Sequence, residues 1–139
     1  MGIEVYSGFF KSLDDVLQDV RKSGTWPTTF VSGPSEGLHT HWHAHEVYAY
    51  LMEGETDFFD GDSGSRPAVR AGDKVVIPAR TLHAEGAVMD RVVYILALPD
   101  PLPPDEFLAM HDPDELEGAI SAATVADWNR ALSISNGTP

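Results

Sequence analysis

Residues 28–98 of this chain alternate short runs of strand-forming residues with turn residues, and no other feature constrains the fold as much. Glycine, aspartate and proline fill the turns. The runs are Thr28–Val31, Val47–Met52, Thr56–Phe59, Val75–Ile77 and Arg91–Leu98. Several short strands at nearly regular spacing are typical of an antiparallel sandwich or barrel. We therefore predict an all-β core over about residues 28–98.

Helices are predicted at both ends of this core. Ser12 precedes two aspartates, which indicates a helix start, and apolar residues then recur at helical spacing. They are Leu13, Val16, Leu17 and Val20. After the core, a proline-rich segment at 99–104 cannot continue a sheet, and Asp112 before Pro113 indicates another helix start. We predict an N-terminal helix at about 12–23, a C-terminal helical tail at about 104–133 and a single domain over 1–139.

The composition excludes several classes of partner and site. Lys and Arg number 9 against 22 Asp and Glu, so the formal net charge is −13. Nucleic acids and anionic membranes bind through clustered cations, so we expect neither as a partner. Because the chain has no cysteine, disulfides and thiolate sites are impossible. No apolar run approaches the roughly 20 residues of a spanning helix and no signal sequence is apparent, so we expect a cytoplasmic protein.

Four histidines stand at every second position between Leu38 and Val47: His39, His41, His43 and His45. Alternate side chains of a strand share one face, so several of these imidazoles can point the same way. Burying them without partners would be costly. Neutral imidazole is also the commonest nitrogen ligand of first-row divalent metals. The run therefore predicts a metal site.

A second stretch, residues 72–83, brings one more histidine from a later strand. It begins with Gly72-Asp73, continues through the strand-forming run and Pro78, and ends at His83. Together the two stretches resemble the cupin superfamily. The first is similar to its His-x-His motif followed by a strand and Gly54. The second is similar to its Gly-Asp-strand-Pro-x-Gly-x-x-His motif, with Arg80 where glycine is more usual. The resemblance covers about residues 28–98.

The resemblance implies a cupin-type antiparallel barrel, a jelly-roll-like double sheet whose open mouth holds a metal. One alignment of the first motif places the ligands at His41 and His43, with His83 from the second motif. This alignment keeps strand parity and turn lengths, but it puts Val47 where cupins usually carry a glutamate ligand.

A second alignment uses His39, His41 and Glu46 together with His83, or His45 in place of Glu46. A carboxylate would offset part of the charge of a dication, which favours this set. His41 and His83 are ligands in both alignments. The implied cofactor is one divalent transition metal per chain: iron, manganese, nickel or zinc.

The resemblance predicts a metal-dependent enzyme that acts on a small organic molecule, with dioxygenase-like chemistry as the first choice. The alternatives are a non-redox lyase, isomerase or cyclase, and a small-molecule-binding cupin without turnover. No catalytic residue is assigned. We expect Trp42 to face outward into a second sheet or a subunit contact, and His111 to lie at the surface. Glu85, just past His83, is close enough to reach the mouth of the pocket, but a solvated loop acid is the favoured interpretation. Arg70 and Arg80 are weighed as cations for an anionic substrate, with a surface salt bridge as the default.

The last expectation is a homodimer. The ends of the chain carry more apolar side chains than a short barrel needs, and a two-fold contact is the commonest way to bury them. We expect the contact to use the outer sheet and the N-terminal strand, with the metal sites facing away.

Overall fold

A computed structural model describes residues 2–116 of the chain. In chain order its elements are β1 Glu4–Tyr6, α1 Leu13–Ser23, β2 Trp26–Ser32, β3 Val47–Glu53, β4 Glu55–Asp60, β5 Ala68–Arg70, β6 Lys74–Ile77, β7 His83–Glu85, β8 Val92–Leu98, α2 Pro104–Phe107 and a 3-10 turn Pro113–Glu115. The predicted C-terminal tail is therefore described in its first part, and its remainder, 117–133, lies outside the described residues.

The strands form two antiparallel sheets, which confirms the all-β prediction. One sheet has five strands in the order β1-β6-β3-β8-β2, and the other has three in the order β5-β4-β7. Each predicted run lies in an observed strand, except that the last run begins at Arg91 and β8 begins at Val92. The strands β1, β5 and β7 are not among the five predicted runs, because three residues are too few to show a period of two.

The core lies between the two sheets and follows from side-chain alternation along the strands. Val47, Ala49 and Leu51 of β3 point inward, and Val92, Tyr94, Leu96 and Leu98 of β8 do the same. Phe58 and Val69 come from the opposite sheet. This arrangement leaves an interior that is apolar and bounded on two sides by rigid strands.

Helix α1 covers part of the outer face of the larger sheet. The Ser12 hydroxyl accepts a hydrogen bond from the backbone N–H of Asp15, and Gly24 ends the helix with a φ of 69°. Val16 and Val20 are buried against residues of β3 and β8. Leu13 and Leu17, the other half of the predicted apolar stripe, remain 52% and 45% exposed.

Candidate metal centre

Two neighbouring chain segments place His41, His43, His83 and Glu85 together. His41 and His83 face each other across an isolated bridge, with backbone hydrogen bonds of 2.9 and 3.0 Å in the two directions. Glu85 lies two residues beyond His83 on β7, so the two side chains share a face. One possible ligand atom from each of the four residues lies within 4.8 Å of the others.

The cluster is compact and largely buried. The ring centroid of His41 lies 4.9 Å from that of His43 and 4.6 Å from that of His83. The Nε2 atoms of His41 and His83 lie 3.2 and 3.3 Å from the carboxylate oxygens of Glu85. His83 has no exposed surface. Three imidazoles and one carboxylate therefore surround a small volume that is shielded from bulk water.

The other nitrogen of each ring is held by a backbone carbonyl. Nδ1 of His41 lies 2.6 Å from the oxygen of His39, and Nδ1 of His83 lies 2.9 Å from that of Thr81. Nδ1 of His43 lies 2.8 Å from the oxygen of Ala109. Because a carbonyl oxygen only accepts, each Nδ1 must donate. In the neutral rings the lone pair is therefore on Nε2, which is the arrangement that metal-binding histidines adopt.

Polar atoms in the cluster lack hydrogen-bond partners. Nε2 of His41, Nε2 of His83 and Oε1 of Glu85 are buried and make no aligned hydrogen bond within residues 2–116. Such atoms are costly to bury unless something satisfies them. Imidazole nitrogens with a carboxylate oxygen form a donor set that suits iron, manganese, nickel and zinc. The cluster is therefore compatible with binding one such ion.

The charges of the cluster are coupled. Burial raises the pKa of Glu85, but the charge of His83 and the contacts with His41 and His83 lower it by more, so it lies well below 4.5. Burial lowers the pKa of His41, yet the Glu85 carboxylate raises it above 6.5. Burial, with the charges of His83 and His41, lowers the pKa of His43 to about 4. Without a metal, Glu85 is thus ionised and His43 is neutral.

The remaining predicted ligands lie elsewhere. His39 is exposed. The Glu46 carboxylate accepts a hydrogen bond from the Tyr48 hydroxyl, and Nε2 of His45 lies 3.6 Å from Glu106. The four imidazoles do not share a face because residues 39–45 form isolated bridges at His41 and Trp42 rather than a continuous strand. The histidines of the first alignment are brought together, and the carboxylate beside them comes from Glu85.

Glu85 was expected to be a solvated loop acid, and that expectation was wrong. Its side chain is 27% exposed and lies between His41 and His83. Glycine at position 86 is typical of a turn, which favoured a loop at Glu85. The spacing indicates the alternative, because a residue two positions after His83 lies on the same face as His83 if the backbone is extended.

Trp42 is buried by Arg80, His111 and Asp112 of its own chain, which corrects the expectation of a contact with a second sheet or another subunit. The Arg80 guanidinium lies 5.2 Å from one of its ring centroids, and the His111 imidazole stacks at 4.5 Å with a 29° angle. The indole N–H donates to the carbonyl of Asp112. His111 is accordingly half-buried rather than a surface residue. These contacts hold residues 104–112, which we call the strap, against the barrel.

Arg80 is the non-glycine residue with a positive φ, 64°, in the described part of the chain. This is the position where the second motif usually has glycine, so the left-handed backbone is kept although the residue differs. The conformation costs a non-glycine residue about 1 kcal/mol or more. The stacking of its guanidinium on Trp42 offsets part of this cost.

A cavity of about 310 Å³ opens beside the cluster. His41, His43 and Glu85 line it, together with the hydroxyl residues Ser32, Ser35 and Thr56. The rest of its wall is mostly apolar and includes Phe30, Val47, Phe58, Ile77, Val88, Val92, Tyr94, Leu96, and Phe107, Leu108 and Met110 of the strap. Burial, and then the charge of Glu85, raise the pKa of Tyr94, so its hydroxyl is protonated. No lysine or arginine is among the described lining residues, and Arg70 and Arg80 lie elsewhere.

Metal affinity is expected to fall as the pH is lowered, since a proton and a metal ion compete for the same Nε2 lone pair. The pKa of His41 lies above 6.5, so competition begins near neutral pH. Zinc affinity should then drop by about tenfold per pH unit for each proton displaced. Competition titrations with a chromophoric chelator between pH 8 and 5.5 measure this. An affinity that does not change over that range would contradict histidine ligation.

Comparisons with known proteins yield structural likeness but no sequence match. No family model matches the chain, and no curated protein matches it. A DUF861 family protein from Thermotoga maritima superposes with a TM-score of 0.50 at 17% identity, over 69% of this chain and 98% of the other. The polyketide cyclase RemF from Streptomyces resistomycificus gives a TM-score of 0.50 at 17% identity, over 78% and 72%.

Within residues 2–116 there is no helix of the length and apolar character needed to cross a membrane.

Three observations indicate the same fold. The strands form two antiparallel sheets, the histidines of both motifs lie at one site, and the structural neighbours superpose on this chain. The chain has the cupin fold, as its two histidine-bearing motifs predict.

Proposed function

We propose that this protein is a metal-dependent enzyme that transforms a small, uncharged and largely apolar organic molecule. The observation that carries the proposal is the position of the cluster. His41, His43 and Glu85 belong both to the group of possible metal ligands and to the wall of the cavity. A molecule in the cavity would therefore meet the metal directly, as catalysis requires.

The metal would be held by His41, His43, His83 and Glu85. A divalent ion there would supply Lewis acidity toward a substrate oxygen and, if it is redox-active, a centre for dioxygen chemistry. The chain's residues supply the rest. The carbonyls of His39, Thr81 and Ala109 fix the ring orientations, and the ionised Glu85 offsets part of the positive charge.

The wall of the cavity determines what binds. Apolar side chains exclude water and favour apolar ligands. No cation lines the described wall, so a phosphate or carboxylate group would find no fixed countercharge apart from the metal. The volume, about 310 Å³, is at the lower end for ligand cavities, which suits a small molecule such as a single- or double-ring compound.

Dioxygenase-like oxidation is the first reaction class that we propose. The supporting argument is that dioxygen and an apolar substrate both partition from water into an apolar cavity. The donor set of imidazoles and a carboxylate also suits iron and manganese, which support such chemistry.

A non-redox cyclase, lyase or isomerase is the second candidate. The observation that favours it is Tyr94, a protonated hydroxyl on the cavity wall that can donate a proton or a hydrogen bond without any redox change. RemF, whose fold is similar, is a polyketide cyclase, and ring closure is a reaction of this class.

Metal analysis and oxygen dependence test the proposal. The protein is purified without a histidine tag, its metal is measured by mass spectrometry, and a panel of small uncharged phenols and ketones is incubated with it in air and under argon. Incorporation of labelled dioxygen indicates the dioxygenase. Turnover under argon, with a product isomeric to the substrate or cleaved from it, indicates the non-redox class. Absence of a bound transition metal would overturn the proposal.

We also propose a homodimer, for which the N-terminal region offers a surface. Tyr6, Phe9, Leu13 and Leu17 are exposed, and β1 pairs with β6 along one edge. An exposed strand edge beside apolar side chains favours pairing with a second copy. Sedimentation should give about twice the 15.1 kDa of the chain, with Leu17→Glu shifting the protein toward monomer. A wild-type monomer at high salt, where repulsion between net charges of −13 is screened, would contradict this.

The cytoplasmic location stays a prediction from the sequence.

A further inference from the structure

Tyr94 differs from the other tyrosines of the chain in what its hydroxyl contacts. The chain has four. The hydroxyls of Tyr6, Tyr48 and Tyr50 donate to the carboxylates of Glu4, Glu46 and Asp19. The ring of Tyr94 packs near Phe30 and Phe58, with centroids 6.4 and 6.5 Å away, and its hydroxyl has no hydrogen-bond partner in residues 2–116.

Tyr94 lines the cavity that contains the histidine cluster, and the residue as a whole is 6% exposed. Its hydroxyl is not one of the fully buried polar atoms that lack a partner in the described residues, which fits a position on the cavity wall. Tyrosine hydroxyls in largely buried positions usually have a hydrogen-bond partner. Phenylalanine would fill the same place in the core without a polar group. The hydroxyl is therefore available as a donor to a molecule in the cavity.

We propose that the Tyr94 hydroxyl donates a hydrogen bond to an oxygen atom of the substrate, and that the substrate is a small aromatic or alicyclic molecule with a carbonyl or hydroxyl group. This inference rests on the proposed function, because it takes the same cavity as the substrate site. Phe30 and Phe58, which pack near Tyr94, belong to the apolar wall of the same cavity, and the absence of lysine and arginine from the described wall favours an uncharged oxygen. The polar group of the ligand is thus held at Tyr94 while its ring lies on apolar side chains.

Matched ligands and matched variants test this assignment. Acetophenone and ethylbenzene have similar shapes, and the first carries the carbonyl oxygen. Their binding to the full chain is followed by ligand-observed NMR for the wild type, Tyr94→Phe and Tyr48→Phe. Tyr48→Phe removes a hydroxyl that is already paired with Glu46. The metal content of each preparation is measured on the same sample.

The expected result is confined to one variant and one ligand. Tyr94→Phe should weaken acetophenone binding about fivefold, as the loss of one neutral hydrogen bond does, and change ethylbenzene binding by less than about twofold. Tyr48→Phe should change neither. Equal effects of Tyr94→Phe on both ligands, or binding of neither ligand to the wild type, would overturn the assignment.

The same experiment separates this inference from the proposed function. If Tyr94→Phe no longer distinguishes acetophenone from ethylbenzene and the protein holds no metal, the inference is supported and the proposal of a metal-dependent enzyme is contradicted. A protein with one metal ion per chain in which Tyr94→Phe has no effect on acetophenone supports the metal centre and overturns the role of Tyr94.

Discussion

Replacing His83 by alanine is expected to reduce metal affinity by at least about 100-fold. Loss of a group that only supports a ligand costs about 10- to 100-fold, so loss of a ligand should cost at least as much. His83 contributes an Nε2 that has no hydrogen-bond partner among residues 2–116, in a ring without exposed surface. Metal content after purification and zinc affinity by chelator competition measure the effect.

His39→Ala is the matched control for this prediction. His39 is exposed and outside the cluster, and its contact with His41 uses the backbone carbonyl, which alanine retains. The variant should bind metal as the wild type does. If His39→Ala lost metal while His83→Ala kept it, the cluster would not be the metal site.

The pattern of strands and the first helix could be predicted from the sequence because their signals are local. Alternation at Val47–Met52 and at Arg91–Leu98 depends on which side chains face the core, and the N-cap at Ser12 depends on residues within one turn. Each of these predictions matches an observed element to within two residues at either end.

Glu85 and the strap could not be predicted in the same way, because their positions depend on contacts far apart in sequence. Glu85 becomes part of the cluster only when β7 pairs with β4 and bridges to His41. Ala109 lies 66 residues from His43, whose ring it holds. The histidine alternation also overstated the site, since a regular spacing places side chains on one face only where the backbone is a continuous strand.

These distant contacts also explain how the wall of the cavity is kept in place. The strap supplies Phe107, Leu108 and Met110 to the wall, and one of its carbonyls orients His43. Its attachment to the barrel runs through Trp42, whose backbone pairs with His111 in both directions at 3.1 and 3.0 Å. The side chain of Trp42 is therefore positioned to affect stability, cavity and cluster together.

Trp42→Ala is expected to lower the free energy of unfolding by about 3 kcal/mol or more, the usual cost of truncating a buried tryptophan. The substitution removes the contacts with Arg80 and His111, opens a void beside Leu82 and Leu116, and removes the donor to Asp112. Urea denaturation measures the change, and hydrogen exchange should show faster exchange at the amide of His111, which donates to the Trp42 carbonyl.

Trp26→Ala is the control for this prediction, because Trp26 is 55% exposed on β2 and loses little burial on truncation. Its cost should be below about 1 kcal/mol at a protein concentration that keeps the oligomeric state fixed. Trp42→Phe keeps an aromatic ring between Arg80 and His111 and loses the hydrogen bond to Asp112, so its cost should lie between the two. Similar costs for Trp42→Ala and Trp26→Ala, with unchanged exchange at His111, would mean that other contacts hold the strap and that the stack on Trp42 adds little.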